Sequence, residues 1–194
     1  MISTEQVKEL RDKTGISIMQ CRKALEDAGG DIEKALVILR KKGAEIAGKK
    51  SDRTLGAGVV QAYIHSTGSV GAMVELWCET DFVAKNEEFK TLAKDIAMHI
   101  AATSPLYLTS DQIPEDAKEK AKEVFQKEVE GKPENMKETI LKGKLDAYFK
   151  DMVLLDQPFV KNPDITIGGL LEGAVQKFGE KTEIGKFARF STGA

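Results

Sequence analysis

The 194-residue sequence holds only two cysteines, Cys21 and Cys78, and two histidines, His65 and His99. Two cysteines cannot build a disulfide framework, and their scarcity fits a reducing compartment. Neither histidine stands at metal-ligand spacing from a cysteine, and no nucleophile–base pair is recognisable. Metal binding and catalysis on a small molecule therefore find little support. A long apolar run is also missing; nothing approaches the ~20 residues that span a bilayer. So is an excess of one charge, because the formal net charge is −2, too small to draw the chain onto nucleic acid or anionic membrane. Met1 to Glu5 lacks a basic stretch followed by an apolar one, which reads against a signal peptide. These absences lead to the expectation of a cytoplasmic protein that is no enzyme and uses no cofactor and no metal. An organelle protein whose presequence had been removed would read the same.

What is present suits a folded chain: 31% charged and 41% hydrophobic residues, with length for an ordinary domain plus a small second one. The pattern predicts an α+β protein. Residues 1–50 read as an N-terminal module of three helices. Ser3 with Gln6 and Ser17 with Gln20 have capping-box spacing, and Asp31 caps the third helix. Thr14-Gly15, Gly29-Gly30 and Gly43 serve as stops. Residues 51–194 form the core, entered through a polar, basic linker over 44–56. Two period-2 runs, Val60-Ala62-Ile64 and Ala72-Val74-Leu76-Cys78, joined at Ser66 to Ser69, predict a β-hairpin. A helix follows from near Asn86, with Phe89, Leu92, Ala93, Ile96 and Ile100 on one face. A helical hairpin is expected over about 114–151, broken at Gly131-Lys132-Pro133. A short helix from Leu170 to Phe178 and a third strand over Ile184 to Phe190 complete the core, whose sheet would be small and antiparallel.

Gly43 to Lys50 nearly matches a phosphate-binding loop. Lys50 stands where a Ser or Thr hydroxyl would hold Mg²⁺, and the segment follows a helix rather than a strand, so nucleotide binding is rejected. Arg40, Lys41, Lys42, Lys49, Lys50 and Arg53 form a basic cluster without stacking aromatics nearby. It reads as a solvated face more than a nucleic-acid site.

Thr80-Asp81-Phe82-Val83 lies between a strand and a helix, a junction where side chains can project. Two readings stay open on these residues alone. In one, Phe82 and Asp81 face a partner. In the other, Phe82 folds back onto the core, the commoner fate of a phenylalanine, while Asp81 supports the helix N-terminus.

Leu10 to Gly15, Met19 to Leu25 and Gly30 to Ala35 resemble the opening of the elongation factor Ts family. Thr80-Asp81-Phe82-Val83-Ala84-Lys85-Asn86 is similar to that family's most recognisable motif. Ala97 to Ala102, Gln157 to Val160 and Arg189-Phe190 resemble further family segments in the family's order. The resemblance implies a ubiquitin-associated-like helical module, an α+β core and a helical hairpin. It implies as partner elongation factor Tu, bound with GDP or without nucleotide, and as activity the release of its GDP. It assigns Thr80, Asp81, Phe82 and Val83 to disturbance of the partner's Mg²⁺ site. His99 matches a second contact, and Leu10, Arg11 and Met19 a docking face on the module. Ile16-Ser17-Ile18 departs from the family's usual Ala-Gly-Met. Longer members carry two related core halves, whereas this chain has room for one; a homodimer is therefore expected. The competing class is a non-catalytic helical interaction or RNA-binding protein.

Overall fold

The computed structural model describes residues 2–131 and 133–193. The first helix, α1 (Thr4–Thr14), opens with a complete capping box: Ser3 Oγ accepts the Gln6 N–H at 3.2 Å and Gln6 Oε1 accepts the Ser3 N–H at 3.0 Å. The second, α2 (Ile18–Asp27), keeps half of its expected box. Ser17 caps Gln20, but the Gln20 side chain accepts instead from Gln176, 156 residues away, at 2.7 Å. Val7, Leu10, Ile16, Cys21, Ala24, Leu25, Ala35 and Leu39 form the small core shared by these helices and the third, α3 (Ile32–Lys49).

The third helix corrects the expected boundary. It runs from Ile32 to Lys49, through Gly43. A helix-stopping glycine needs a positive φ, and Gly43 does not have one. Its role is close approach: a Cβ there would lie 3.2 Å from Gln176 Oε1 and 3.4 Å from the Glu172 carbonyl oxygen. α3 thus packs against a later helix, α8 (Ile167–Phe178), and the linker shrinks to the few residues between Lys49 and Ala57. The near-match to a phosphate loop lies inside this helix, where no loop exists to cradle phosphate.

The core sheet has order β1-β2-β5, all antiparallel, with β1 (Ala57–Ile64), β2 (Val70–Cys78) and β5 (Glu183–Ser191). In β2, Ala72, Val74, Leu76 and Cys78 are buried, as their alternation requires. Antiparallel register sets Val59, Gln61 and Tyr63 opposite Leu76, Val74 and Ala72 on that inner face. Val60, Ala62 and Ile64 therefore lie on the outer face, so the apolar alternation of β1 marks the side turned away from the core. The inner face is closed by α5 (Glu87–Thr103) through Phe89, Ala93, Ile96, Ala97 and Ile100. α4 (Asp81–Ala84) is a single turn between β2 and α5.

The hairpin consists of α6 (Glu115–Val129) and α7 (Glu134–Lys150), each preceded by a proline at its N-cap. Lys132, in the expected break, lies outside the described residues. Phe125 and Tyr148 meet edge to face at 5.6 Å, and Lys144 pairs with Glu128 at 2.6 Å, so the two helices pack on one another. They do not cover the sheet. A short antiparallel pair, β3 (Pro158–Phe159) and β4 (Asn162–Thr166), precedes α8, whose N-cap Thr166 accepts from Gly169.

Candidate functional site

The candidate site is the corner where β2 turns into α4. Thr80 is extended (φ −127, ψ 156) and leads into one helical turn. Successive helical residues point about 100° apart, so a four-residue turn against a core must turn some side chains in and some out. Val83 and Ala84 turn in and join the main core. Phe82 turns out and is 82% exposed, the most exposed large hydrophobic side chain among the described residues. That rules out the alternative in which Phe82 folds back onto the core. Asp81 is equally open, and Lys85 bonds to it at 2.5 Å. That hydrogen bond and the lysine's charge hold the Asp81 carboxyl below the usual carboxylate range. Asn86 then caps α5, accepting the Glu88 N–H at 2.8 Å.

The corner is held from the far end of the sequence. α8 stops at Gly179, whose φ of +74 is the left-handed conformation that glycine permits. Just beyond, Glu180 accepts the Thr80 N–H at 2.9 Å and the Thr80 hydroxyl at 2.6 Å. Glu79 in turn accepts the Lys181 N–H at 2.6 Å, and Arg53 reaches it at 3.1 Å. The Lys181 N–H first, and Arg53 second, keep the Glu79 carboxyl below its ordinary range. The Cys78 thiol donates to the Thr80 carbonyl oxygen at 3.2 Å. Sequence reasoning missed Glu180 entirely, since nothing in its local pattern distinguishes it from a solvated turn glutamate.

The other residues singled out in the sequence fall elsewhere. Arg11 and Met19 are on the surface of the N-terminal helices, Met19 at 75% exposure. Leu10 corrects its expected place on a docking face: it is fully buried in the module's own core, because the same helical face that carries Val7 points inward. Val83 is likewise an anchor beneath the motif rather than part of its exposed surface. His99 is corrected as well. It is fully buried on α5 and offers no surface to a partner in this structure. Its Nδ1 accepts the Val160 N–H at 3.3 Å, which leaves Nε2 as the protonated nitrogen, donating to Gln157 Oε1 at 2.9 Å. Burial holds its pKa below the usual histidine value, against the opposing pull of Gln157. Through that bond His99 positions the segment carrying Val160, which is 41% exposed.

Among the described residues, no group of three or more His, Cys, Asp or Glu side chains could hold a metal ion. Nor, among the same residues, is any helix long and apolar enough to cross a membrane. Of the basic cluster, Lys50 donates to the Gly179 carbonyl at 2.7 Å and Arg53 is engaged with Glu79.

A family model described as elongation factor TS matches residues 31–194. That span contains the corner and everything that holds it. The chain belongs to the elongation factor Ts family. Among similar curated proteins is elongation factor Ts of Carboxydothermus hydrogenoformans, 49% identical over 100% of this chain and 90% of that one. The corresponding protein of Acetivibrio thermocellus is 48% identical over 100% of this chain and 91% of its own. That of Desulfosudis oleivorans is 48% identical over 99% and 98%. Matches of this extent leave no large part of the fold outside elongation factor Ts, and the α+β architecture agrees with it. Membership places the chain in translation elongation, in the general activity of nucleotide exchange on elongation factor Tu.

Proposed function

We propose that the chain promotes GDP release by using the α4 corner to disturb the Mg²⁺ site of elongation factor Tu, with Phe82 as the wedge. The observation that carries this reading is Phe82 itself, a large apolar side chain exposed on a turn whose neighbour Val83 is buried. An isolated phenylalanine held in water gains about 1.5–3 kcal/mol when a partner buries it. Asp81 stands beside it as an ionised hydrogen-bond acceptor for partner groups that support the Mg²⁺ shell. GDP is held through its phosphates and the bridging ion, so displacing the ion's ligands weakens the nucleotide strongly. No catalytic side chain of this protein is required. Linkage makes the effect reciprocal: the factor by which this chain weakens GDP is the factor by which GDP weakens this chain. Both the GDP-bound and the nucleotide-free partner are therefore bound. Arg11 and Met19 supply a second contact on the N-terminal helices, and the work is done in the cytoplasm, where translation takes place.

We also propose a homodimer formed through the outer face of the sheet. Val60, Ile64, Met73, Trp77 and Phe190 are 39% to 69% exposed there, and the helical hairpin leaves them uncovered. A two-fold axis lets one apolar patch cover its own copy.

Release of a fluorescent GDP analogue from purified elongation factor Tu tests the main reading, with RNA binding measured in parallel across salt. Faster release with weak RNA binding is expected. Unchanged release together with salt-dependent RNA binding would replace it by the reading as an RNA-binding protein.

A further inference from the structure

We propose that Glu180 is a positioning residue for the exchange motif, acting through Thr80 to fix the direction in which Phe82 projects. The inference rests on the reading of Phe82 as the wedge.

α4 is a single turn, too short to persist on its own. Its direction must come from outside. From below, Val83 and Ala84 provide apolar contact, which is non-directional and tolerates rotation. Direction comes from the entry residue. Thr80 occupies the N-cap of α4, yet its hydroxyl does not cap that helix. It is turned away to Glu180, which takes the hydroxyl and the backbone N–H with its two separate oxygens. The peptide oxygen of Thr80 is held too, by the Cys78 thiol and by the Ala84 N–H at 3.2 Å. Every polar group of Thr80 is therefore committed. Two oxygens on two donors of one residue define an orientation as well as a distance, and bonds to a carboxylate are the stronger kind.

The acceptor side is equally constrained. The Glu180 backbone sits between Gly179, whose carbonyl receives Lys50, and Lys181, whose N–H is given to Glu79 and whose Nζ reaches the Ser51 carbonyl at 2.6 Å. Residues 79–80 and 180–181 thus exchange carboxylate-to-backbone bonds in both directions. Such a reciprocal clasp resists the twisting that would swing Phe82 sideways. An exchange wedge must keep its geometry while pushing on its partner, and a small misplacement costs rate without costing fold.

The test is a double-mutant cycle on the full chain, with release of a fluorescent GDP analogue measured at saturating and at limiting concentration. Glu180→Gln keeps the shape but loses the charge and one acceptor. It should lower the saturated release rate roughly three- to tenfold, from a weakened charge-assisted bond, with the half-saturation concentration and melting temperature nearly unchanged. Thr80→Val, which removes the hydroxyl from the other side, should reproduce the loss. The deciding readout is coupling: Phe82→Ala should cost clearly less in the Glu180→Gln background than in the parent, because both act through one side chain. Additive losses, or a normal rate in both clasp variants, would overturn the positioning role while leaving the wedge intact. A Phe82→Ala protein with undiminished release would overturn the wedge, and this inference with it.

Discussion

Two of the places where the molecule exposes apolar side chains are built on opposite plans. At the α4 corner a single ring, Phe82, stands alone among charges, with Asp81 and Lys85 beside it and Glu79 and Glu180 behind. On the outer face of the sheet, Val60, Ile64, Met73, Trp77 and Phe190 lie on three adjacent strands with register fixed by the ladder. A lone ring on a stiff polar frame offers little area but a defined direction. It suits a contact that must be made and then surrendered to nucleotide. A broad apolar face offers area without direction, which suits a contact that lasts. On the proposed reading, the corner sets the exchange rate and the sheet face holds the assembly.

The largest effect should come from the corner. Phe82→Ala removes about 1.5–3 kcal/mol of burial against the partner, or roughly ten- to a hundred-fold in release rate if all of it acts in the transition state. Because Phe82 is outside the core, the thermal melt should not move. A collapsed melting temperature would show that the ring supports the fold, and the division of labour would break at its first term.

Next comes the sheet. Met73→Glu sets a charge at the middle of the outer face, on the central strand. Light scattering at micromolar concentration should fall from about twice the 21.3 kDa chain mass to a single mass, since an unpaired buried charge is not tolerated in an interface. Exchange per chain should stay within about twofold, as expected for additive, distant sites. If exchange collapsed together with the dimer, the two surfaces would be one working unit.

Much of the architecture was legible locally, and the failures have a common cause. The Ser3–Gln6 box, the Asp31 cap and the positive-φ stops at Gly15 and Gly29 are written within a few residues, so they could be read directly. The strand-to-helix corner was legible too, because Thr80 to Asn86 is short and contiguous. What could not be read depends on a partner element far along the chain. Gly43 has the composition of a stop, and only α8 makes it a packing glycine. The alternation Val60-Ala62-Ile64 is a true strand signal, but only pairing with β2 decides that it faces outward. His99 and Leu10 belong to stretches that resemble the family's, and burial moves both off the surface. Glu180 needed a contact across 100 residues. A sequence pattern states which residues share a face; it does not state what that face meets.

Val83→Ala sharpens the comparison from inside the corner. Val83 lies beside Phe82 in sequence but is 5% exposed. Removing its two methyl groups should cost about 1.5–3 kcal/mol through lost burial and a small cavity, or roughly 3–10 °C in melting temperature for a chain of this size. Exchange should fall less than for Phe82→Ala. The reverse order, with a stable protein and a lost rate, would mean that Val83 is the contact and Phe82 a bystander.

The smallest effect concerns the scaffold that both surfaces share. α5 closes the inner face of the sheet and follows directly from the corner, and His99 is buried on it as a neutral ring. Its folded pKa is depressed, so between the unfolded value near 6.5 and the lower folded one the unfolded chain binds more protons than the folded chain. The stabilising preference for neutral His99 is thus complete above about pH 6.5 and is lost progressively as pH falls through the folded pKa. Melting temperature should decline by a few degrees from pH 7.5 to 5.5, by analogy with other single buried groups. In His99→Gln that decline should flatten, because the replacement does not titrate. Asp81 behaves oppositely: Lys85 keeps its carboxyl low, so it remains ionised across the same range. Exchange measured well below the melt should therefore stay flat from pH 7.5 to 6 while stability falls. A release rate that tracked the melting curve would tie the corner's geometry to His99, and the scaffold could no longer be treated as a passive support for two independent surfaces.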